Sequence, residues 1–377
     1  MLSSTTALPA RAAMNYYSKS SFNPLSLVSV LYSAMAYLSI ACIKPIPILN
    51  RGLPKLQEIP KTVLTTPKVA IVTGSNTGIG FETSKALVER GYQVILACRS
   101  QDKAQQAMER MERELGPSAA GKAVYEGSLD LSSFQSVHDF SQLIRSKYDK
   151  IDLLVNNAGR NTSGPSEKGL DLCFQTNFLG HFLLTQNLMD PLLQADAPRV
   201  VNLSSVMHHY CQADTHDETY WRQSALFGNP HSRESSYSAS KLAALYFTME
   251  LNRRYRANGL RSIAVNPGAV NSDIWRDYPP LIQAINKRIF LNNQQGSYTS
   301  VAASVLDNLP PDVIYLQPYH QVQGSSSTPF PVFEMLGPFV GYQAIQPRLP
   351  KDGTNGELTA RILWNVSEDL VSTKKVD

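Results

Sequence analysis

Short apolar runs recur along the middle of the chain: Val69–Val72, Gln93–Cys98, Ala123–Gly127, Ile151–Val155, Arg199–Leu203 and Arg261–Val265. Runs this short, without polar alternation, read as strands buried on both faces. Between them lie stretches of helical period: Phe81–Arg90, Gln101–Leu115 with a charged solvent face, Ser133–Lys147, and a long stretch from about Glu167 to Leu193. Strand and helix in alternation predict an α/β fold built on a doubly wound parallel sheet.

Both ends depart from this pattern. No Asp or Glu precedes Glu58, and no charge falls between Ser20 and Ile43. As a helix, Pro24–Ile43 would span roughly 30 Å, the thickness of a bilayer core. Ser26, Ser29, Ser33 and Ser39 dilute its hydrophobicity. Three readings stand: a membrane anchor, an acid-free Ser-rich transit peptide, or a secretory signal or surface helix. Lys44, Arg51, Lys55 and Lys61 outnumber Arg11 and Lys19, a bias that places the following domain in the cytosol. Pro45, Pro47, Pro54 and Pro60 make a stiff linker, with folded structure expected from about Thr66.

Toward the other end, Tyr315–Pro350 is rich in Pro, Gly and aromatic residues. Phe330, Val332, Phe333, Met335, Leu336, Phe339 and Val340 read either as core or as a lipid-facing entrance. Ala360–Val371 reads as a closing amphipathic helix. The expected division is 1–65 for the anchor or targeting segment and linker, 66–309 for the catalytic domain, and 310–377 for an extension. Lys374 and Lys375 resemble the dilysine retrieval signal of endoplasmic-reticulum membrane proteins. The expected location is therefore that membrane with the catalytic domain facing the cytosol, the alternative being plastid or mitochondrion.

Composition narrows this only a little. With 377 residues, 43% hydrophobic and 18% charged, the chain can bury a large core without disulfide staples. A net charge of +4, dispersed, argues against nucleic-acid binding. Cys42, Cys98, Cys173 and Cys211 form no Cys-x-x-Cys pair, which points to a reducing compartment and away from zinc.

The candidate chemistry begins where the first strand ends, in Thr73-Gly74-Ser75-Asn76-Thr77-Gly78-Ile79-Gly80. Glycines there let the backbone turn sharply and approach a pyrophosphate at a helix N-terminus. The spacing is Gly-x-x-x-Gly-x-Gly, distinct from the commoner Gly-x-Gly-x-x-Gly. After the second strand stands Arg99-Ser100, where NAD-binding units carry an acid for the ribose hydroxyl. A guanidinium pairs with a 2′-phosphate, which favours NADP(H); the alternative is a solvated surface Arg. Farther on, Tyr237 and Lys241 share one face of a helix. A cation one turn away favours the phenolate and lowers the Tyr pKa toward neutrality. Taken alone, the pair is a weak signal and reads as a half-exposed surface pair.

In order, Thr-Gly-x-x-x-Gly-Ile-Gly, Asp130-Leu131, Asn156-Asn157-Ala158-Gly159, Asn202-Leu203-Ser204-Ser205, Tyr237-x-x-x-Lys241 and Asn266-Pro267-Gly268 resemble the short-chain dehydrogenase/reductase family. The resemblance covers about 66–309, with a looser echo at 360–371, and implies a Rossmann-type sheet. Ala97-Cys98-Arg99 and Ser240-Lys241-Leu242-Ala243 are similar to the retinol-dehydrogenase-like branch, which mostly uses NADP(H) on apolar alcohols and aldehydes at membranes. The resemblance implies that Gly74, Ser75, Asn76, Gly78, Ile79 and Gly80 cradle the cofactor phosphates. It puts Asp130 at the adenine, and Asn156, Ala158 and Gly159 along the groove, where they also steady the sheet. Pro267, Gly268, Val270 and Ser272 would surround the nicotinamide carboxamide.

In the catalytic set it implies, Tyr237 exchanges a proton with the substrate oxygen. Lys241 lowers the Tyr237 pKa and holds the nicotinamide ribose. Ser205, rather than its neighbour Ser204, orients the carbonyl. Asn177 interrupts its helix and holds a water of the proton relay, and His181 one turn on is read as structural. No metal is implied, and His208-His209 lack a third ligand at matching spacing. The insert Met207–Ser236, with His208, His209, Trp221 and Phe227, reads as an elaborated loop over the substrate mouth. Asp273–Gln295 reads as a lid, with Trp275, Tyr278, Leu281 and Ile285 as an apolar wall.

The expected function is NADP(H)-dependent oxidoreduction of a small apolar carbonyl or alcohol: a retinoid, sterol or fatty aldehyde. The rivals are a 3-keto-sterol reductase and a catalytically idle NADP-binding scaffold. A membrane is the expected partner of the N-terminal segment, and an oligomer is compatible with the sequence.

Overall fold

The computed structural model describes residues 59–61, 63–166, 168–211, 217–228, 236–275, 280–320, 339–345 and 356–372, with 347, 349 and 354. The sheet contains β1 (Val69–Thr73), β2 (Gln93–Ala97), β3 (Ala123–Val124), β4 (Leu153–Asn156), β5 (Arg199–Leu203), β6 (Arg261–Val265), β7 (Tyr315–His320) and β8 (Phe339–Ala344). Their order is β3-β2-β1-β4-β5-β6-β7-β8. All pairings are parallel except that of β7 with β8. Order reverses between β1 and β4, and ligands of such sheets bind at the carboxyl ends of the strands beside that switch.

Alternate residues of each strand feed two cores, as a period of two requires. Ile71, Ile95, Leu154 and Val200 face one side, where α3 (Phe134–Lys147), α5 (Gly180–Asn187), α8 (Ser236–Tyr255) and α12 (Glu357–Val371) supply the cover. Ala70, Val72, Val94, Leu96 and Val155 face the other, under α1 (Gly78–Glu89), α2 (Gln101–Leu115) and α11 (Tyr298–Val305). Register places Ile71 between Ile95 and Leu154. An aromatic cluster locks α5, α8 and α12 together. Phe182 meets Trp364 edge-on at 5.1 Å, and Phe247 lies 5.4 Å from Phe182.

Several expectations need correction. The third strand is two residues long, because Tyr125–Gly127 leaves the sheet to reach the turn before α3. The stretch expected to be helical from about Glu167 begins only at Leu172, where Asp171 caps α4 (Leu172–Phe174) through the amides of Cys173 and Phe174. It then passes through one π-helical turn, Gln175–Leu179, before α5, and ends in α6 (Met189–Leu193). The insert carries a helix of its own, α7 (Glu218–Ala225). Its Trp221 is fully buried against Tyr220 and Tyr246, so that face of the insert is core rather than mouth.

Packing also starts before Thr66: Arg90 donates to the carbonyls of Ile59 and Pro60, and Leu64 N–H to Arg90 O. Beyond Leu309, β7 joins the sheet beside β6, with Tyr315 and Leu316 fully buried. The expected anchor, the dilysine pair and the apolar group Phe330–Leu336 lie outside the described residues. Among the described residues no helix is long and apolar enough to cross a membrane.

Candidate active site

The site begins at the end of β1. Gly74 and Gly78 have φ of 64° and 60°, a left-handed backbone that L side chains rarely adopt. At Gly80 a Cβ would stand 2.3 Å from Gly74 O and 2.5 Å from Asn157 Nδ2. The turn is therefore too tight for any other residue there. Thr73 Oγ1 accepts from the amides of Asn157 and Ala158, both at 2.9 Å, and Asn157 Nδ2 donates to Thr73 O at 2.7 Å. These bonds pin the loop after β4 to the glycine turn.

Helix α1 starts without a side-chain cap and without an acid in its first turn. Thr77, its N-cap residue, instead donates to Asp273 Oδ2 at 2.9 Å. Uncapped amides at the positive end of a helix, reached over glycines, form an anion cradle. Ile79 packs on the second core, Ser75 is buried, and Asn76 is half-buried beside them.

The other expected cofactor residues separate into two groups. Pro267, Gly268 and Ser272 lie half-buried, and Gly159 exposed, around the same strand ends. A Cβ on Gly78 would come within 3.8 Å of Ser272 Cβ, so the loop after β6 reaches the glycine turn. Val270 is buried, and its carbonyl accepts from Trp275 Nε1 at 3.0 Å. The stretch read as a lid comprises a short turn, Asp273–Trp275, then α9 (Pro280–Ile289) and α10 (Asn293–Gly296), which packs beside α1. Tyr278 and the side chains of Leu281 and Ile285 lie outside the described residues.

Arg99 is exposed at the end of β2, and its guanidinium has no ion-pair partner among the described residues. Asp130 turns back on its own loop, accepting from Ser132 N and Ser132 Oγ. Asn156 does not face the groove. It is buried in the sheet and donates to Asn202 Oδ1 and Thr185 Oγ1.

On α8, Tyr237 is half-buried and Lys241 buried. Lys241 Nζ lies 5.4 Å from the centre of the Tyr237 ring and donates to Leu203 O at 2.9 Å. Burial pushes the Lys241 pKa down to about 8, which still leaves it mostly charged at neutral pH. Asn177 sits in the π-helical turn, where its amide grips the backbone of Arg160 from both sides. Oδ1 accepts from Arg160 N at 2.8 Å, and Nδ2 donates to Arg160 O at 2.9 Å. Nδ2 also reaches Ser240 Oγ, which in turn donates to Tyr237 O. The point where a Cβ on Gly159 would stand is 3.4 Å from Asn177 Oδ1 and 3.8 Å from Lys241 Nζ, so both groups flank one opening.

The two serines at the end of β5 differ. Ser204 is buried and donates to Lys241 O at 2.8 Å, so its hydroxyl is spent on α8. Ser205 is half-buried, and among the described residues its Oγ accepts one long 3.3 Å bond, from Met207 N. His208, buried in the turn Val206–Tyr210, donates from Nδ1 to Ser205 O at 2.6 Å. Among the described residues no cluster of three His, Cys, Asp or Glu could hold a metal.

Sequence reasoning gave no role to Thr73, Asn157 or Ser240, although each lies inside a quoted motif. Their roles are bonds to other motifs, which only the folded chain brings together.

A doubly wound sheet with a glycine-shaped anion cradle at its switch point, facing a Tyr-Lys pair, defines a dinucleotide-dependent oxidoreductase. The residues fit such a cofactor: no side chain caps the helix at the cradle, and Arg99 at the β2 end has no ion-pair partner among the described residues. The comparisons agree. The model of the family described as short chain dehydrogenase matches residues 68–215 and 223–280. The mouse (Mus musculus) protein Retinol dehydrogenase 11 is 34% identical over 309 residues, covering 81% of this chain and 86% of that protein. Human (Homo sapiens) Retinol dehydrogenase 13 is 31% identical over 310 residues, covering 81% and 84%.

Among solved structures, an uncharacterised protein from Mycobacterium paratuberculosis aligns with a TM-score of 0.56 at 28% identity, over 82% of this chain and 94% of that one. A short chain dehydrogenase from Shigella flexneri 2a, complexed with NADP, shares the fold at a TM-score of 0.51 and 22% identity, over 66% and 95%. The chain belongs to the short-chain dehydrogenase/reductase family, in its retinol-dehydrogenase-like branch. It is an oxidoreductase that uses a nicotinamide cofactor.

Proposed function

We propose that the protein is an NADP(H)-dependent oxidoreductase that interconverts the carbonyl and alcohol forms of an apolar substrate of retinoid, sterol or fatty-aldehyde class. The observation that carries this reading is the Tyr237–Lys241 pair on one turn of α8, beside Asn177 and the half-buried Ser205. When bound, the dinucleotide supplies or takes up the hydride.

The chain's own residues handle the oxygen and its proton. Ser205 Oγ donates to the substrate oxygen and steadies the charge that develops there. Tyr237 gives its phenolic proton to that oxygen in reduction and takes it back in oxidation. The Lys241 ammonium favours the phenolate left behind. Lys241 passes the replacement proton toward Tyr237, and Asn177 holds the water through which that proton arrives from solvent.

The preference for NADP(H) rests on Arg99, exposed and without an ion-pair partner among the described residues, and on the lack of an acid at the β2 end. The apolar substrate class is supported by the relatives' names, Retinol dehydrogenase 11 and 13. We place the protein at the endoplasmic-reticulum membrane, held by the apolar segment Pro24–Ile43, with the catalytic domain toward the cytosol.

Absorbance of NADPH with retinal, a 3-keto sterol and medium-chain aldehydes tests the activity. Oxidation of NADPH by at least one of them is expected. NADPH should bind at least about ten-fold tighter than NADH, and Arg99→Asp should abolish that ratio. NADH binding as tightly as NADPH, with the ratio untouched by Arg99→Asp, would overturn the cofactor assignment. Tight NADPH binding without turnover of any carbonyl would favour the idle scaffold.

A further inference from the structure

His181 is fully embedded one helical turn after Asn177, and both of its ring nitrogens are engaged. Nε2 lies 2.9 Å from Thr73 Oγ1, and Nδ1 lies 2.9 Å from Asn177 O. The hydrogen positions follow by elimination. Thr73 Oγ1 already accepts two amide protons, from Asn157 and Ala158, so both lone pairs are taken. Its own proton must point outward. Val155 O at 3.4 Å is a distant acceptor, and His181 Nε2 is the near one. Nε2 therefore accepts, and the single ring proton of a neutral imidazole sits on Nδ1. A carbonyl only accepts, so Nδ1–H donates to Asn177 O.

Burial pushes the His181 pKa down to about 4, and the nearby Lys241 charge adds to the shift. The ring thus stays neutral across the working range. Thr185 Oγ1 holds the His181 carbonyl at 2.7 Å, which fixes the residue from its other side. A chain of bonds therefore runs from the base of the glycine turn through Thr73 and the imidazole to the Asn177 carbonyl. That carbonyl lies in the π-helical turn whose side-chain amide flanks the same opening as Lys241 Nζ.

We propose that His181 is a positioning residue of the reaction: its Nδ1–H holds the main-chain carbonyl of Asn177 in register with Lys241, and Thr73 serves only to fix the ring proton on Nδ1. It touches neither substrate nor cofactor. The inference rests on the reading that Asn177 and Lys241 serve proton delivery to Tyr237. It adds that the carbonyl of Asn177, and not only its side chain, must be held. Outer-shell partners of metal ligands cost about 10–100-fold in activity when removed, and a loss of that order is expected for a group holding Asn177 in the same way.

Two substitutions separate the two ends of the imidazole. Asn places an amide nitrogen where Nδ1 stands, so His181→Asn keeps the donor to Asn177 O and loses the Thr73 link. Gln places its terminal oxygen near Nε2, so His181→Gln keeps an acceptor for Thr73 and loses the donor. The expected result is kcat within about three-fold of wild type for His181→Asn, and a loss of at least about ten-fold for His181→Gln. NADPH dissociation constants should stay within about two-fold in both. A merely structural histidine predicts that kcat follows thermal stability, equally in both variants. Equal losses, or wild-type kcat in His181→Gln, would overturn the proposal.

The wild-type protein gives a readout that needs no variant. The imidazole 15N shifts of His181 should show a neutral Nδ1–H ring from pH 5 to 9; an Nε2–H ring or a titration in that window would contradict the assignment. Tyr237→Phe serves as the reference. If it retains full turnover, the proton-delivery reading itself fails; if it is inactive while His181→Gln is unaffected, only the positioning role fails.

Discussion

Lys241 carries the sharpest tension at the scale of single residues. Its ammonium is buried, with Leu203 O its acceptor among the described residues, and burial lowers its pKa from 10.5 to about 8. The unfolded chain holds that proton more tightly than the folded one. The contribution of Lys241 to stability is thus unfavourable below about pH 8 and recovers as pH climbs toward 10.5. Lys241→Met should therefore leave the cofactor-free protein at pH 7 at least as heat-stable as wild type, while turnover falls by about 100-fold or more. A thermal midpoint lowered by more than about 5 °C would show that the ammonium stabilises the fold instead.

The residue types of the site were legible because six short motifs fall in order along the chain. Their hydrogen bonds were not. Nothing in Asn-Leu-Ser-Ser shows that Ser204 bonds to α8 while Ser205 is left with one long contact, since both stand at the same strand end. Likewise Asn156 turned out to be bonded inside the sheet, with Asn157 holding the glycine turn. Which face each neighbour takes is set by strand register, which a single sequence states poorly.

Among the elements, strand β1 and its glycine turn were the most legible, because only glycine fits the backbone there. Gly80→Ala tests that reading. Its Cβ would overlap Gly74 O, a main-chain atom that cannot swing aside. The variant should lose about 1–3 kcal/mol of stability by urea denaturation and nearly all NADPH binding. Binding within about three-fold of wild type would mean that the turn does not cradle the phosphates.

The stretch from about Glu167 to Leu193 was the least legible. Its apolar period runs on without interruption, so nothing in the pattern marks the π-helical turn at Gln175–Leu179. Such a turn shifts one residue out of phase, and here that residue set includes Asn177, whose amide reaches back to Arg160. The helix inside the insert was missed for a different reason. Trp221 and Ala225, four apart, are the buried positions of α7, too short a stripe to read as a helix.

For the whole molecule, the doubly wound sheet followed from strand–helix alternation, and six of its strands were placed within a few residues. The last two were not recognised. β7 and β8 lie in a stretch rich in proline, with Pro318 inside β7 itself, and such strands read as loops. Pairing of β7 with β6 ends at Leu316, so Pro318 lies beyond it and its missing N–H costs no bond to β6. The fold thus extends past Leu309, and α12 completes the core through Trp364.

Turnover depends on a single proton donor, Tyr237, and the most direct measurement separates binding from turnover at that residue. NADPH affinity and carbonyl-dependent NADPH oxidation would be measured side by side for wild type and Tyr237→Phe. Phe keeps the ring and removes only the hydroxyl, so the dissociation constant should stay within about three-fold while turnover falls by at least about 100-fold. Equal turnover in the two proteins would contradict the account, because the proton would then come from some group other than Tyr237.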